Sequence, residues 1–184
     1  MRLVADIGGT NARVALCEDG VIDEASVERY ANADWGALDD LLCAYRGARQ
    51  DAAVTEMVIA VAGPVRGGQA KLTNRNWTIE ADKMKQDFAC KRVVLLNDLG
   101  ALGYAVPVFG SDQVAQLCGE VGPRNADGQA LVVGIGTGFN ISQVISKGET
   151  TVCPPAEAGQ ISMPSALASQ LSDPGCAPHQ FQTA

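Results

Sequence analysis

The chain begins with two short apolar segments that flank a pair of adjacent glycines. Residues 3–7 are apolar except for one aspartate, and residues 12–17 are rich in small and β-branched side chains. Gly8 and Gly9 stand between these segments, and glycine is the residue that tight turns tolerate best. The arrangement predicts a β-hairpin at the start of the chain, closed by a glycine-rich turn.

Strand-like and helix-like patterns alternate along the rest of the chain. Apolar residues at helical spacing predict a helix over residues 34–46, with Asp34 as a candidate N-cap. Two further helices are predicted over residues 80–88 and 99–105. Further strands are predicted over residues 21–22 together with 26–30, 57–62, 93–96, 131–134, 139–145 and 150–153. Residues 69–78 read as a hairpin or irregular structure. This order predicts an α/β protein.

Composition excludes several classes of function. The 184 residues are 47% hydrophobic, enough for a real core, and the net charge of −7 argues against a nucleic-acid partner. No apolar run approaches the roughly 18 residues of a membrane span, and the first residues do not resemble a signal peptide. Six cysteines without a C-x-x-C motif predict reduced thiols in the cytoplasm. With one histidine, His179, a zinc site or a Ser-His-Asp triad is not expected.

The string DIGGTNAR, residues 6–13, has the features of a phosphate-binding turn. Glycines let the backbone approach an anion, and successive N–H groups in such a turn form an anion-binding concavity. Thr10 and Asn11 can donate further hydrogen bonds, Arg13 adds charge, and Asp6 can hold a hydrated Mg²⁺. The alternative is an ordinary hairpin turn. The complete string is rarer than a Gly-Gly turn and favours phosphate binding.

A second strand leads into a glycine-rich turn at residues 132–138, which contains Gly136, Thr137 and Gly138. The spacing is not that of the dinucleotide-binding fingerprint. Taken alone, it is another tight turn. Two such units about 130 residues apart are better explained as the two halves of one phosphate clamp.

Polar residues mark three other places. Asn97 and Asp98 follow a predicted buried strand. At that position Asp98 can accept the proton of an attacking hydroxyl. Without other motifs, helix capping explains this pair of residues better. Asn74 and Trp77 can bind a sugar, or form an Asn-rich turn with a core tryptophan. The loop of residues 155–160 offers a carboxylate and an amide to hydroxyl groups, or is simply solvated.

Six strings occur in an order that resembles the bacterial glucokinase family, within the actin- and hexokinase-like superfamily. They are LVADIGGTNARVAL, VAGPV, LTNRNW, LLNDLGALGYAVP, GIGTG and PPAEAGQ, and they extend from residue 3 to about residue 163. The resemblance implies a ribonuclease H-like α/β fold with a mixed sheet, plus the beginning of a second lobe. Residues 1–110 would form the first lobe and residues 111–184 the start of the second.

The resemblance also implies a reaction, in which ATP phosphorylates the 6-hydroxyl of glucose with Mg²⁺ as the cofactor. Asp98 matches the family's catalytic base. The matching sugar-binding positions are Asn74, Asn97, Asp98 and Glu157, with Gln160 where the family has a histidine. The matching phosphate-binding positions are Asp6, Gly8, Gly9, Thr10, Asn11, Gly136, Thr137 and Gly138. Phe139 and Asn140 replace a small or glycine-bearing pair.

Members of this family are roughly twice as long, so the C-terminal half is expected to be absent and the chain alone nearly inactive. Three other functions stay open. They are a non-catalytic sugar-binding or regulatory protein on the same fold, an actin-type assembly protein, and a catalytically dead remnant. An exposed face could also drive formation of a homo-oligomer.

Overall fold

The computed structural model describes residues 1–72, 75–119, 127–135 and 139–156. The chain divides into two compact units, Met1–Asp98 and Leu99–Ala184. The lobe boundary placed near residue 110 from the sequence stays a prediction. None of the helices in the described ranges has the length and apolar character needed to cross a membrane.

The first unit contains nine described strands and two α-helices. The strands are β1 (Arg2–Ile7), β2 (Asn11–Glu18), β3 (Val21–Ile22), β4 (Glu28–Ala31), β5 (Glu56–Val61), β6 (Val65–Arg66), β7 (Gln69–Lys71), β8 (Thr78–Glu80) and β9 (Arg92–Asn97). The helices are α1 (Leu38–Gly47) and α2 (Ala81–Asp87). The α/β class predicted from the sequence is confirmed.

The main sheet of this unit has six strands and is mixed. Its order is β3-β2-β1-β5-β9, and β4 also pairs with β2. β1 and β2 are antiparallel, which confirms the predicted N-terminal hairpin, whereas β1, β5 and β9 are parallel. Parallel neighbours place the carboxyl ends of their strands at the same edge of a sheet.

One face of this sheet forms the core. Leu3 and Ile7 of β1 are fully buried, as are their neighbours in register, Met57 and Val61 of β5. α1 contributes Leu41, Leu42 and Tyr45, which are also fully buried. Side chains two residues apart on a strand share a face, so alternate residues of β1 are enough to build this layer.

Two local predictions are wrong in their boundaries. α1 begins at Leu38 and not at residue 34, because Asn32–Asp34 forms a separate 3₁₀ turn and Trp35 is extended, with φ −127° and ψ 138°. Asp34 therefore does not cap α1, whose N-cap is Ala37. Residues 21–30 form two strands instead of one, because Asp23 caps an intervening 3₁₀ turn by accepting a hydrogen bond from the Ala25 N–H.

Residues 65–80 form a small three-stranded sheet, in the order β6-β7-β8. β6 and β7 join through Gly67 and Gly68, both of which have positive φ angles that favour glycine. β7 and β8 pair in antiparallel register, with Ala70 opposite Ile79. Of the two structures proposed for residues 69–78, the described residues therefore form the hairpin.

The second unit contains the rest of α3 (Asp98–Ala105), which begins at the last residue of the first unit, and a three-stranded meander. The meander consists of β10 (Gly128–Ile135), β11 (Phe139–Lys147) and β12 (Thr150–Val152). Ser142 and Val144 of β11 are buried, while Leu131, Val133 and Ile135 of β10 are exposed. The meander thus has one buried face and one exposed apolar face.

Candidate functional site

The carboxyl ends of three parallel strands meet at one edge of the six-stranded sheet. Ile7, Val61 and Asn97 are the last residues of β1, β5 and β9, and they lie in register with one another. Neighbouring strands are about 4.8 Å apart, so the ends of β1 and β9 lie about 10 Å apart. The turn after β1 and the polar pair Asn97–Asp98 at the end of β9 therefore share the edge at which α/β sheets bind ligands.

The turn after β1 is the tight connection between β1 and β2. The Gly8 N–H donates to the Asn11 carbonyl at 2.9 Å, which leaves Gly9 and Thr10 at the tip. A Cβ at position 8 would lie 3.2 Å from the Asn11 oxygen, so a side chain there would crowd the turn. Thr10 is exposed, and the other turn residues, Gly8, Gly9 and Asn11, are half-buried. The backbone at the tip is thus accessible to a ligand.

Asn32 supports this turn, although no sequence motif points to it. Its side chain is fully buried, and its Nδ2 donates to the Gly8 carbonyl at 2.8 Å. Its backbone N–H donates to the Thr10 carbonyl at 2.9 Å. No sequence signal connects an asparagine in a polar stretch to a turn 24 residues earlier.

Asp6 lies on β1 directly before the turn and faces outward. Its carboxylate is 57% exposed and lies 3.8 Å from the guanidinium of Arg13, its partner in register on β2. In the described ranges, no three His, Cys, Asp or Glu side chains cluster as a metal site. A single accessible carboxylate nevertheless fits Mg²⁺, which keeps several waters and takes other ligands from substrate phosphates.

Asn97 and Asp98 form the polar end of β9. The Asn97 side chain donates to the Gly63 carbonyl at 3.2 Å, which connects β9 to the segment that follows β5. Asp98 is exposed and is the first residue of α3, where a negative charge interacts favourably with the helix dipole. Its position suits helix capping and also lies at the ligand-binding edge of the sheet.

Trp77 is a core residue and not a sugar-stacking platform. Its side chain is 5% exposed, and its indole N–H donates to the Gly36 carbonyl at 2.9 Å. The guanidinium of Arg75 lies 5.6 Å from the centre of its ring. Of the two interpretations of Trp77, the structure supports the core tryptophan, because a buried ring offers no face to a ligand.

Several predicted site residues lie outside the described residues. These are Asn74, Gly136, Thr137, Gly138, Glu157 and Gln160. Their neighbours in the second unit are described. Ile135 and Phe139 pair across β10 and β11, and the Asn140 side chain donates to the Ala156 carbonyl at 3.4 Å. Asn140 thus contacts the beginning of the predicted sugar loop, residues 155–160.

This chain is similar to known proteins in both sequence and fold. The glucokinase family model matches residues 3–172. The glucokinase of Psychromonas ingrahamii is 32% identical over 165 residues, covering 89% of this chain and 50% of the relative. The glucokinase of Photorhabdus laumondii is 34% identical over 161 residues, covering 86% of this chain and 49% of the relative.

A solved structure gives the same result. The crystal structure of glucokinase from an Antarctic psychrotroph superposes with a TM-score of 0.74 at 31% identity, covering 89% of this chain and 52% of that one. The mixed-sheet, hexokinase-type fold predicted from the sequence is thereby confirmed. The chain spans about half the length of the curated relatives it matches. With the family model matching nearly all of its residues, this chain belongs to the glucokinase family.

Proposed function

We propose that this chain is the sugar- and phosphate-binding part of an ATP-dependent hexose kinase, which phosphorylates the 6-hydroxyl of glucose or a related hexose. The observation that carries the proposal is the register of Ile7, Val61 and Asn97. That register brings the glycine turn and the carboxylate of Asp98 to one sheet edge. A donor-rich turn suits a phosphate, and a nearby carboxylate suits the hydroxyl that attacks it.

In the proposed reaction, the sugar oxygen attacks the terminal phosphorus of ATP and ADP leaves with the bonding electron pair. Asp98 orients the hydroxyl and accepts its proton. Asp6 would hold a hydrated Mg²⁺ ion, which would neutralise charge on the phosphates of the nucleotide. Protein groups do little covalent work in phosphoryl transfer, so catalysis depends mainly on positioning and charge stabilisation.

Binding is divided between two sets of residues in this proposal. The phosphates are held by backbone and side-chain donors of Gly8, Gly9, Thr10, Asn11, Gly136, Thr137 and Gly138. The sugar hydroxyls are held by Asn74, Asn97, Asp98, Glu157 and Gln160. Family membership and the accessible turn support the first set, and the sheet-edge position of Asn97 and Asp98 supports part of the second.

We further propose that the chain alone has little or no turnover, since kinases of this kind exclude water by closing a complete cleft. We also propose a cytoplasmic location. The cysteines in the described ranges are free thiols, as expected in a reducing compartment. A homo-oligomer stays a prediction.

The test is glucose-dependent release of ADP in the presence of ATP and Mg²⁺. It is run on this chain and on a longer version that carries the remaining half of a family member. Activity is expected in the longer version, and Asp98→Asn should reduce it at least about 100-fold, because a general base contributes about 10²–10⁴-fold.

Asp82→Asn is the matched control, since Asp82 is also an exposed acid in the first turn of a helix, α2. If Asp98 served only to cap its helix, both variants would retain activity. Sugar binding without turnover in the longer version would favour the non-catalytic alternative. Absence of both binding and turnover across several hexoses would refute the proposed activity.

A further inference from the structure

Asn32 contacts both sides of the tip of the first glycine turn. Its side-chain Nδ2 donates to the carbonyl of Gly8, and its backbone N–H donates to the carbonyl of Thr10. These two carbonyls flank the Gly9–Thr10 tip. Asn32 itself is fully buried and lies just after β4, whose last residue, Ala31, pairs with Asn11 of β2. A single residue that directly follows the neighbouring strand β4 therefore braces the turn from the protein interior.

Bracing the carbonyls also fixes the direction of two amide groups. In a planar trans peptide, the C=O and the N–H point in opposite directions. The Gly8 carbonyl belongs to the same peptide unit as the Gly9 N–H, and the Thr10 carbonyl to the same unit as the Asn11 N–H. With both carbonyls bonded to Asn32, the Gly9 and Asn11 N–H groups are directed away from it.

The other end of the Asn32 amide is a buried acceptor without a hydrogen bond. Within the part of the chain that the structure describes, Oδ1 of Asn32 has no partner, although the atom is inaccessible to solvent. A buried polar atom in this state destabilises a fold, and an apolar side chain of similar size would avoid it. The hydrogen bond from Nδ2 to the Gly8 carbonyl is therefore the contact that an asparagine provides here and that an apolar side chain of similar size cannot.

We infer that Asn32 is a positioning residue for phosphate binding, which holds the Gly9 and Asn11 amides in the direction that receives the terminal phosphates of the nucleotide. It acts through the turn and does not contact the ligand. Donors that are already oriented need no rearrangement when the anion binds, which strengthens binding. This inference rests on the proposed role of the turn as a phosphate site.

The experiment compares MgATP binding by the wild-type chain and by Asn32→Leu. Leucine removes the donor to Gly8 and the unpaired acceptor, keeps a similar size, and leaves the backbone N–H available to Thr10. Two-dimensional amide NMR on the isotope-labelled full chain follows the Gly9 and Asn11 signals, and it detects weak binding. The wild type should show saturable shifts, and Asn32→Leu should weaken MgATP binding about tenfold or more.

Ser26→Ala is the matched control. Ser26 is 3% exposed, and its hydroxyl accepts a hydrogen bond from the Leu16 N–H of β2 at 2.8 Å. The Ser26→Ala substitution therefore removes a buried polar contact to β2 at Leu16, away from the turn. This substitution should leave the MgATP affinity unchanged. Urea unfolding of each variant verifies that it is folded. Asn32→Ala provides the same test if leucine is not accommodated.

Three outcomes overturn the inference, and they are distinguishable. Wild-type affinity in a folded Asn32 variant would show that the turn needs no brace, and would leave the proposed function intact. Equal weakening by Ser26→Ala would show a general loosening of the sheet. Absence of any MgATP-dependent shift at Gly9 and Asn11 in the wild type would overturn the phosphate role of the turn itself.

Discussion

Glu28 on β4 is held by two side chains from different parts of the first unit. The Tyr30 hydroxyl donates to one carboxylate oxygen, and the guanidinium of Arg49 pairs with the other. The same guanidinium lies 4.2 Å from the ring centre of Tyr45, whose hydroxyl donates to the Ser26 carbonyl at 2.8 Å. The hydrogen bond from Tyr30, followed by that from Arg49, holds the pKa of Glu28 below its ordinary value of 4.5.

This lowered pKa predicts that the contribution of Glu28 to the free energy of unfolding depends on pH. Because the pKa of Glu28 is lower in the folded state than in the unfolded state, its stabilising contribution is present above pH 4.5 and is lost as the pH falls below that value. Glu28→Gln should therefore reduce the free energy of unfolding at neutral pH, and the difference from wild type should shrink in acid. Urea denaturation across this range measures the difference.

Tyr30→Phe serves as the control for that prediction, since the Tyr30 hydrogen bond is the largest cause of the shift. It should remove much of the pH dependence while keeping the carboxylate. A stability difference between Glu28→Gln and wild type that stays constant with pH would contradict the assignment.

At the scale of elements, α3 packs closely on the meander of the second unit. A Cβ at Gly103 would lie 2.9 Å from the Cys153 Sγ and 3.2 Å from a methyl carbon of Val144. At Gly100 on the same helix, no heavy atom outside the helix backbone lies within 4 Å among the described residues. Gly103 thus permits close packing, whereas the described residues around Gly100 leave space for a Cβ.

Two alanine substitutions in α3 should therefore have opposite effects on stability. Gly103→Ala overfills the contact and should lower the free energy of unfolding by about 1–3 kcal/mol. Gly100→Ala should raise it by about 0.5–1 kcal/mol, because alanine loses less conformational freedom than glycine in a helix. Urea unfolding of both variants is the measurement. Equal effects would show that α3 does not pack on β11 and Cys153 as described.

At the scale of the whole molecule, most of the described buried apolar residues belong to the first unit. The main buried cluster extends from Leu3 to Leu95 along the chain. In the second unit, three alternate residues of β10 are exposed instead, and they are Leu131 at 56%, Val133 at 46% and Ile135 at 83%. Burial of apolar surface is the main favourable term in folding, so the first unit should carry most of the stability.

A shortened chain that ends at residue 105, and so keeps α3 complete, should fold by itself. We expect a cooperative urea transition with roughly the midpoint of the parent chain, because the core cluster is retained. A fragment of residues 99–184 should unfold at lower urea. A broad, non-cooperative transition in the shorter N-terminal chain would show that its core depends on the second unit.

Local patterns predicted the elements more reliably than their boundaries. Apolar spacing located α1, but the helix begins four residues later than predicted, at Leu38. The reason is that the backbone N–H of Asn32 bonds to Thr10 and that Trp35 is extended. The 3₁₀ turn capped by Asp23 divided a predicted strand in the same way. In both places a side-chain or backbone hydrogen bond outweighed a weak periodic signal.

Residue patterns alone predicted the α/β class, the N-terminal hairpin, the two glycine-rich segments and the family, because these depend on local spacing and ordered motifs. The folded structure was needed to show that the turn at Gly8 shares an edge with Asn97, since their strands pair through β5. It also placed Asn32 behind the turn and Trp77 in the core. Strand register and burial are set by contacts between residues far apart in the chain, which no local pattern encodes.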